Sequence, residues 1–93
     1  MIRSFKDRET EKIFLEQYSK NFPFEIQTRA KACLDRLNAA FLPKDLMAHR
    51  SHRLEKLKGK RKGQYSIRVN KQYRICFAWI DRYAVNVELT DYH

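Results

Sequence analysis

Glycine and proline are scarce, two of each in 93 residues. Long irregular loops lean on both, so the chain is expected to consist mostly of regular elements with short connections. Cysteine is equally rare. Cys33 falls in a helical pattern and Cys76 in a strand pattern, with no CxxC spacing, so two buried free thiols are expected. There is no HExxH motif and no carboxylate cluster, and His49 and His52 sit among cations that would repel a divalent metal. No metal and no organic cofactor are expected. No apolar run approaches the ~20 residues that span a bilayer, and the opening MIRSFKDRET lacks the apolar core of a signal peptide. These absences lead to the expectation of a cytoplasmic, reduced protein that does not enter a membrane. Its length, with 43% hydrophobic and 13% aromatic residues, suits one folded domain over residues 1–93.

Acidic residues are missing from one place in particular. From His49 to Arg74 the chain reads HRSHRLEKLKGKRKGQYSIRVNKQYR, with ten Lys/Arg and a single acid, Glu55. The rest of the chain carries ten charges of each sign, so the whole formal net charge of +9 sits in this block. A neutral body with one cationic block points to a polyanionic partner, nucleic acid first. Glu55 is then the residue to explain.

Periodicity gives an α+β order. Ile2 to Phe5 alternate as a short first strand. Asp7 is a candidate N-cap for a helix over Arg8–Tyr18, with Phe14, Leu15 and Tyr18 as its buried stripe. A second helix over Phe24–Ala40 turns Ile26, Ala30, Cys33, Leu34, Leu37 and Phe41 inward, with Gln27 among the residues of its polar face. Pro43 stops it, and Leu42–His52 reads as a connecting segment. The period then switches to two. Strands are expected over Arg53–Leu57, Gln64–Val69, Tyr73–Ile80 and Ala84–Thr90, joined by Gly59–Gly63, Asn70–Gln72 and Asp81–Arg82. Val85, Val87 and Leu89 should face inward on the last strand. Two amphipathic helices would then cover one face of an antiparallel sheet. The other face would carry Arg68, Arg74 and Glu88, with Ala78 leaving room for a groove.

If the ligand is RNA, metal-free cleavage can use its own 2′-OH. A base must take the 2′ proton, a cation must stabilise charge gathering on phosphorus, and an acid must protonate the departing 5′ oxygen. Glu55, Arg74 and His93 are the candidates for the three tasks. Asp91 and the terminal carboxylate favour the imidazolium form of His93, as an acid requires. Each residue also has a plainer reading: Glu55 as a solvated ion-pair partner, Arg74 as a packing cation, His93 as an ordinary chain end. A non-enzymatic RNA-binding module explains the charge equally well. A transcription factor does not, because no helix carries the basic residues.

Certain stretches carry a family resemblance that runs nearly end to end. HRLEKLKGKRKGQYSIRVNKQYRICFAW, with its LxxLKG turn and its GQYSIRVN and YRICF strands, and the closing VNVELTDYH resemble the HigB-type toxins of the RelE/ParE toxin superfamily. The resemblance implies a RelE-like microbial ribonuclease fold of βααβββ type. It implies a ribosome-dependent endonuclease that cuts mRNA in the decoding site and inhibits translation. It also implies a neighbouring helix-turn-helix antitoxin of HigA type. The toxin alone would be monomeric, and the antitoxin would draw it into a heterotetramer on operator DNA. Residue by residue, Arg74 matches the arginine used on the scissile phosphate, and Asp91, Tyr92 and His93 match a C-terminal active-site cluster. Lys58 and Arg68 match basic positions used for RNA or charge stabilisation. Arg50, Arg53, Lys56, Lys60, Arg61, Lys62 and Lys71 would meet RNA, chiefly that of the ribosome. Some relatives carry His at the position of Glu55, which leaves the identity of the base open between Glu55 and His93.

Overall fold

The computed structural model describes residues 1–91. Two helices, α1 (Arg8–Phe14) and α2 (Phe24–Ala39), precede strands β1 (Glu55–Lys56), β2 (Gln64–Arg68), β3 (Tyr73–Ile80) and β4 (Tyr83–Asp91). The strands form one antiparallel sheet in the order β1-β2-β3-β4, the meander that the alternating pattern implies. Single 3₁₀ turns at Pro43–Ala48, Arg50–His52 and Gly59–Arg61 fill what reads in the sequence as connecting segment and cationic turn. Among the described residues no helix is long and apolar enough to cross a membrane.

The first expected strand is reduced to two parallel bridges, Ile2 to Ala84 and Phe5 to Val87, along the β4 edge. Asp7 caps α1 as expected, its carboxylate accepting from the Thr10 N–H at 2.7 Å. The Thr10 hydroxyl in turn accepts from the Leu89 N–H at 2.9 Å, which fastens α1 to the sheet. α1 stops at Phe14, short of Tyr18. Glu16 turns left-handed, φ 62°, and the N–H groups of Glu16 and Gln17 return to the carbonyls of Ile13 and Lys12. That is a Schellman closure, made here without glycine. The expected stripe holds only at Phe14, which packs partly buried against the core: Ile13 and Thr10 are buried, while Leu15 and Tyr18 are 55% and 59% exposed.

α2 buries Ile26, Ala30, Cys33, Leu34 and Leu37 against Ile67, Ile75, Phe77, Val87 and Leu89 of the sheet. Each of the larger side chains, Ile, Leu, Val and Phe, contributes roughly 1.5–3 kcal/mol on leaving water. Gln27 is buried too, against its polar-face placement. Its amide donates to the carbonyls of Ser19 and Phe22 and accepts from the Ser19 N–H, pinning the α1–α2 turn. Phe41, expected inward, is 78% exposed. The helix ends before it, and the Asp45 carboxylate accepts from the N–H groups of Phe41 and Leu42, swinging the chain away.

β4 holds a bulge. Cys76 faces Glu88 and Ala78 faces Val85, so Asn86 and Val87 together oppose Phe77. The extra residue reverses the alternation before it. Ala84, not Val85, is fully buried, and Val85 is only half-buried on the other face beside Ala78. Asn86 absorbs the kink at φ 53° and donates its N–H to the Ser4 hydroxyl. Asparagine tolerates this left-handed conformation better than the β-branched residues around it. Cys33 and Cys76 are buried and unpaired, and burial pushes both thiols up from their ordinary range.

Candidate active site

The sheet face turned away from the helices divides into two halves. At the β4 half, the Glu88 carboxylate accepts from the Arg61 guanidinium at 2.8 Å, and Lys6 stands 3.6 Å from the same oxygen. Arg61 reaches across from the turn after β1, so the open groove expected over Glu88 and Ala78 is bridged there. The other half is open. Arg53, Glu55, Arg68, Asn70, Lys71 and Arg74 line a cleft of about 270 Å³. Four cations and one carboxylate around one hollow is an anion-binding arrangement.

Arg74 is its floor. On β3 it points to the cleft side, between the buried Ser66 of β2 and the Arg53–Glu55 approach to β1. Its Nε donates to the Ser66 hydroxyl at 2.7 Å. Its Nη2 donates to the Arg53 carbonyl at 2.6 Å and the Ser66 carbonyl at 3.2 Å. Its Nη1 lies 3.9 Å from Glu55 Oε1. The side chain is only 9% exposed and lines the cleft. Three bonds to neutral acceptors fix the plane of the cation, a suitable setting for a group that must meet developing negative charge.

The backbone around this cation is itself specialised. Arg53 adopts φ 44° and ψ 59°, a left-handed conformation that costs a non-glycine residue about 1 kcal/mol or more. That turn aims its carbonyl at Arg74. Underneath, His52 is 1% exposed. The Arg36 Nη1 lies 3.1 Å from its Nε2, and because arginine can only donate, Nε2 must accept. The imidazole is therefore neutral in this packing. Burial lowers its affinity for a proton most, and the charges of Arg36 and His49 lower it further against a weaker pull from the Leu46 backbone. Across the cleft, the Asn70 carboxamide oxygen accepts from the N–H groups of Gln72 and Tyr73, closing the β2–β3 turn. The Arg68 Nε donates to the Asn70 carbonyl, which holds a second guanidinium at the rim.

Glu55 stands opposite, its side chain 53% exposed, in direct register with Ser66. The fold thus brings together Glu55, Arg74, Arg68, Arg53 and Lys71. It does not bring Asp91 to the cleft. Asp91 faces Tyr73 across the ladder and accepts from the Gln72 amide at 2.9 Å, on the helix side of the sheet. Tyr92 and His93 lie outside the described residues. Arg50, Lys56, Lys58, Lys60 and Lys62 are exposed around β1 and its turn. Arg61 is half-buried and engaged with Glu88 and Gln64. Ser66 and Asn70 were not among the candidate site residues. Alternation sets Ser66 on the same face as Arg68, but nothing in Tyr65-Ser66-Ile67 says that its hydroxyl meets Arg74.

Comparison with known proteins agrees with this frame. Residues 3–93 match the HigB-like toxin family, described as "RelE-like toxin of type II toxin-antitoxin system HigB". Toxin HigB-1 of Vibrio cholerae serotype O1 is 38% identical over 90 residues, covering 96% of this chain and 95% of that one. Among solved structures, one titled as the YoeB-YefM complex from Staphylococcus aureus superposes with a TM-score of 0.63 over 100% of this chain and 98% of that one. At 18% identity that likeness speaks for the fold alone. The sequence match is long enough and close enough to place the chain: it belongs to the HigB family of RelE-like toxins of type II toxin–antitoxin systems.

Proposed function

We propose that this toxin is a ribosome-dependent mRNA endonuclease, and that residues 1–93 act as a single domain. The observation that carries the reading is Arg74: a buried guanidinium, clamped by three hydrogen bonds, forming the floor of a cationic cleft with one carboxylate opposite it. In this reading mRNA in the decoding site lies with its scissile phosphate on Arg74, flanked by Arg68 and Lys71. Glu55 takes the 2′-OH proton, the 2′ oxygen attacks phosphorus in line, and the P–O5′ bond breaks. The products are a 2′,3′-cyclic phosphate and a 5′-OH, with no water and no metal in the step. His93 donates the proton to the 5′ oxygen, with Tyr92 orienting it or the base beside it, while Asp91 stays outside the cleft, held by Gln72. A positioned acid or base is worth ~10²–10⁴-fold in rate.

The exposed cations around β1 would hold ribosomal RNA, by phosphate contacts that orient without reading sequence. A HigA-type antitoxin would neutralise the toxin and carry it into a heterotetramer on operator DNA. The Staphylococcus aureus neighbour is itself titled as a complex, with YefM. The action is placed in the cytoplasm, where the ribosomes are.

The test is mapping of mRNA 5′ ends on translating ribosomes after addition of purified protein. Arg74→Ala should lose ~10²-fold or more of cleavage, the scale of removing one transition-state donor. Arg74→Lys should also be poor, because an ammonium cannot reproduce the three-way planar clamp. Glu55→Gln barely changes the charge available for binding and should still sediment with ribosomes while cutting poorly. Equal inhibition of translation by wild type and Glu55→Gln, with every transcript intact, would replace the nuclease by simple occlusion of the decoding site.

A further inference from the structure

A second hollow lies on the opposite side of β1. Glu55 pairs with Ser66 and therefore faces the Arg74 cleft, whereas Lys56 pairs with Tyr65 and faces the side of the sheet that carries the core. There Leu57 and Tyr65 line a cleft of about 430 Å³. Lys56, Lys58 and Lys62 stand around it, all exposed, and among the described residues no acidic one lines it. The Tyr65 ring is stacked on Phe77, its partner across the β2–β3 ladder, with centroids 5.9 Å apart and planes 19° from parallel, so its orientation is fixed from the β3 side. The two glycines of the hairpin, φ 65° and 92°, have nothing within 4 Å of where a Cβ would sit. They serve the turn and leave the entrance unobstructed.

We infer that this hollow is a subsite for one unpaired nucleotide of RNA, its base lying on the Leu57–Tyr65 floor and its flanking phosphates held by Lys56, Lys58 and Lys62. Three features favour that occupant. The volume falls within the ~300–1,000 Å³ of small-ligand sites. An apolar, aromatic floor offers a base a surface to stack on, which a paired base cannot use from within a duplex. An ammonium rim without a carboxylate complements phosphodiesters on either side. The two clefts flank the same two-residue strand, so an RNA strand gripped at Arg74 is within a short reach of this one. The inference rests on the proposed reading insofar as RNA is the ligand, but not on cleavage.

The experiment uses the full chain and a non-cleavable octanucleotide, 2′-deoxy throughout and carrying 4-thiouracil bases, crosslinked by light and mapped by mass spectrometry. Crosslinks are expected between residues 56 and 65 in wild type and in Arg74→Ala alike. Tyr65→Phe should bind as wild type, and Tyr65→Leu at least about fivefold more weakly, the lower bound of stacking lost per base. The surface double variant Lys56→Gln/Lys62→Gln should lower the slope of log affinity against log salt by roughly 1.4, for two phosphate contacts on a single strand. An abasic octamer should bind more weakly than the base-bearing one. Crosslinks confined to residues 53–74 outside the 56–65 segment, or equal affinity for the abasic strand, would overturn the subsite. Intact mRNA after incubation of the wild-type protein with translating ribosomes, with the crosslinks present, would count against the nuclease reading and leave the subsite standing.

Discussion

Ser66 does for Arg74 what no charged residue could. Its hydroxyl accepts from Nε while its carbonyl accepts from Nη2, and it is fully buried, so both bonds are made out of water. Ser66→Ala removes one acceptor and leaves a buried guanidinium N–H without a partner, which costs ~1–3 kcal/mol. The expected outcome is a protein with a lower denaturation midpoint that cuts mRNA at least about tenfold more slowly while sedimenting with ribosomes as before. Unchanged cleavage would mean that the Arg53 and Ser66 carbonyls position the cation without the hydroxyl. His52 acts one layer further down. Its proton affinity is lowered by folding, so between its folded value and the ordinary ~6.5 the unfolded chain binds more protons. The stability it contributes is complete above about pH 6.5 and is lost as pH falls, at up to ~1.4 kcal/mol per unit. Urea midpoints from pH 7.5 to 5 should therefore fall more steeply for wild type than for His52→Gln. Parallel curves for the two proteins would show that the imidazole is not held neutral.

At the level of elements, what could be read in advance and what could not divide along a physical line. The four-strand meander, α2 and the N-cap at Asp7 follow from local periodicity and local chemistry, and these stand. The misplacements of Leu15 and Tyr18, Phe41 and Val85 come from backbone turns that no apolar pattern announces: Glu16 closing α1 early, Asp45 pulling the chain out after Ala40, Asn86 bulging β4. That of Gln27 comes from the backbone groups of Ser19 and Phe22, which its amide satisfies. The cleft shows the same division. Arg74 and Arg68 were legible because alternation fixes their side of the sheet, and Glu55 because it is the one acid of the basic block. The Arg53 carbonyl was not, since it depends on a left-handed φ at a residue with no such preference. The bulge offers a direct test. Asn86→Gly should cost little, because glycine takes φ 53° without strain. Asn86→Val should lower stability by ~1–3 kcal/mol, because a β-branched residue there is forced off its allowed region. Equal thermal midpoints for the two variants would mean that β4 re-registers to the simple alternation.

For the molecule as a whole, charge is placed more unevenly than sequence position alone conveys. Seven cations of the basic block, Arg50, Arg53, Lys56, Lys58, Lys60, Lys62 and Lys71, are exposed, while Arg74 is buried and Arg61 spans the sheet to Glu88. Adjacent residues in one turn thus have different work: Lys60 faces solvent, and Arg61 closes the β4 half of the polar face. Nothing in KGKRKG separates them, because the partner of Arg61 lies 27 residues away. The distinction can be measured with two neutralising variants. Lys60→Gln should leave the urea midpoint unchanged and, if Lys60 meets ribosomal RNA, lower the slope of log ribosome affinity against log salt by roughly 0.7–0.9. Arg61→Gln should lower stability by ~0.5–1 kcal/mol, the upper range for a partly exposed pair, because Glu88 is then left with Lys6 at 3.6 Å as its cation. Its effect on the salt slope should be the smaller of the two. Were Arg61→Gln instead to shift the salt slope as Lys60→Gln does, with an unaltered urea midpoint, the Glu88 bridge would be open in solution and the far half of the sheet would belong to the RNA surface.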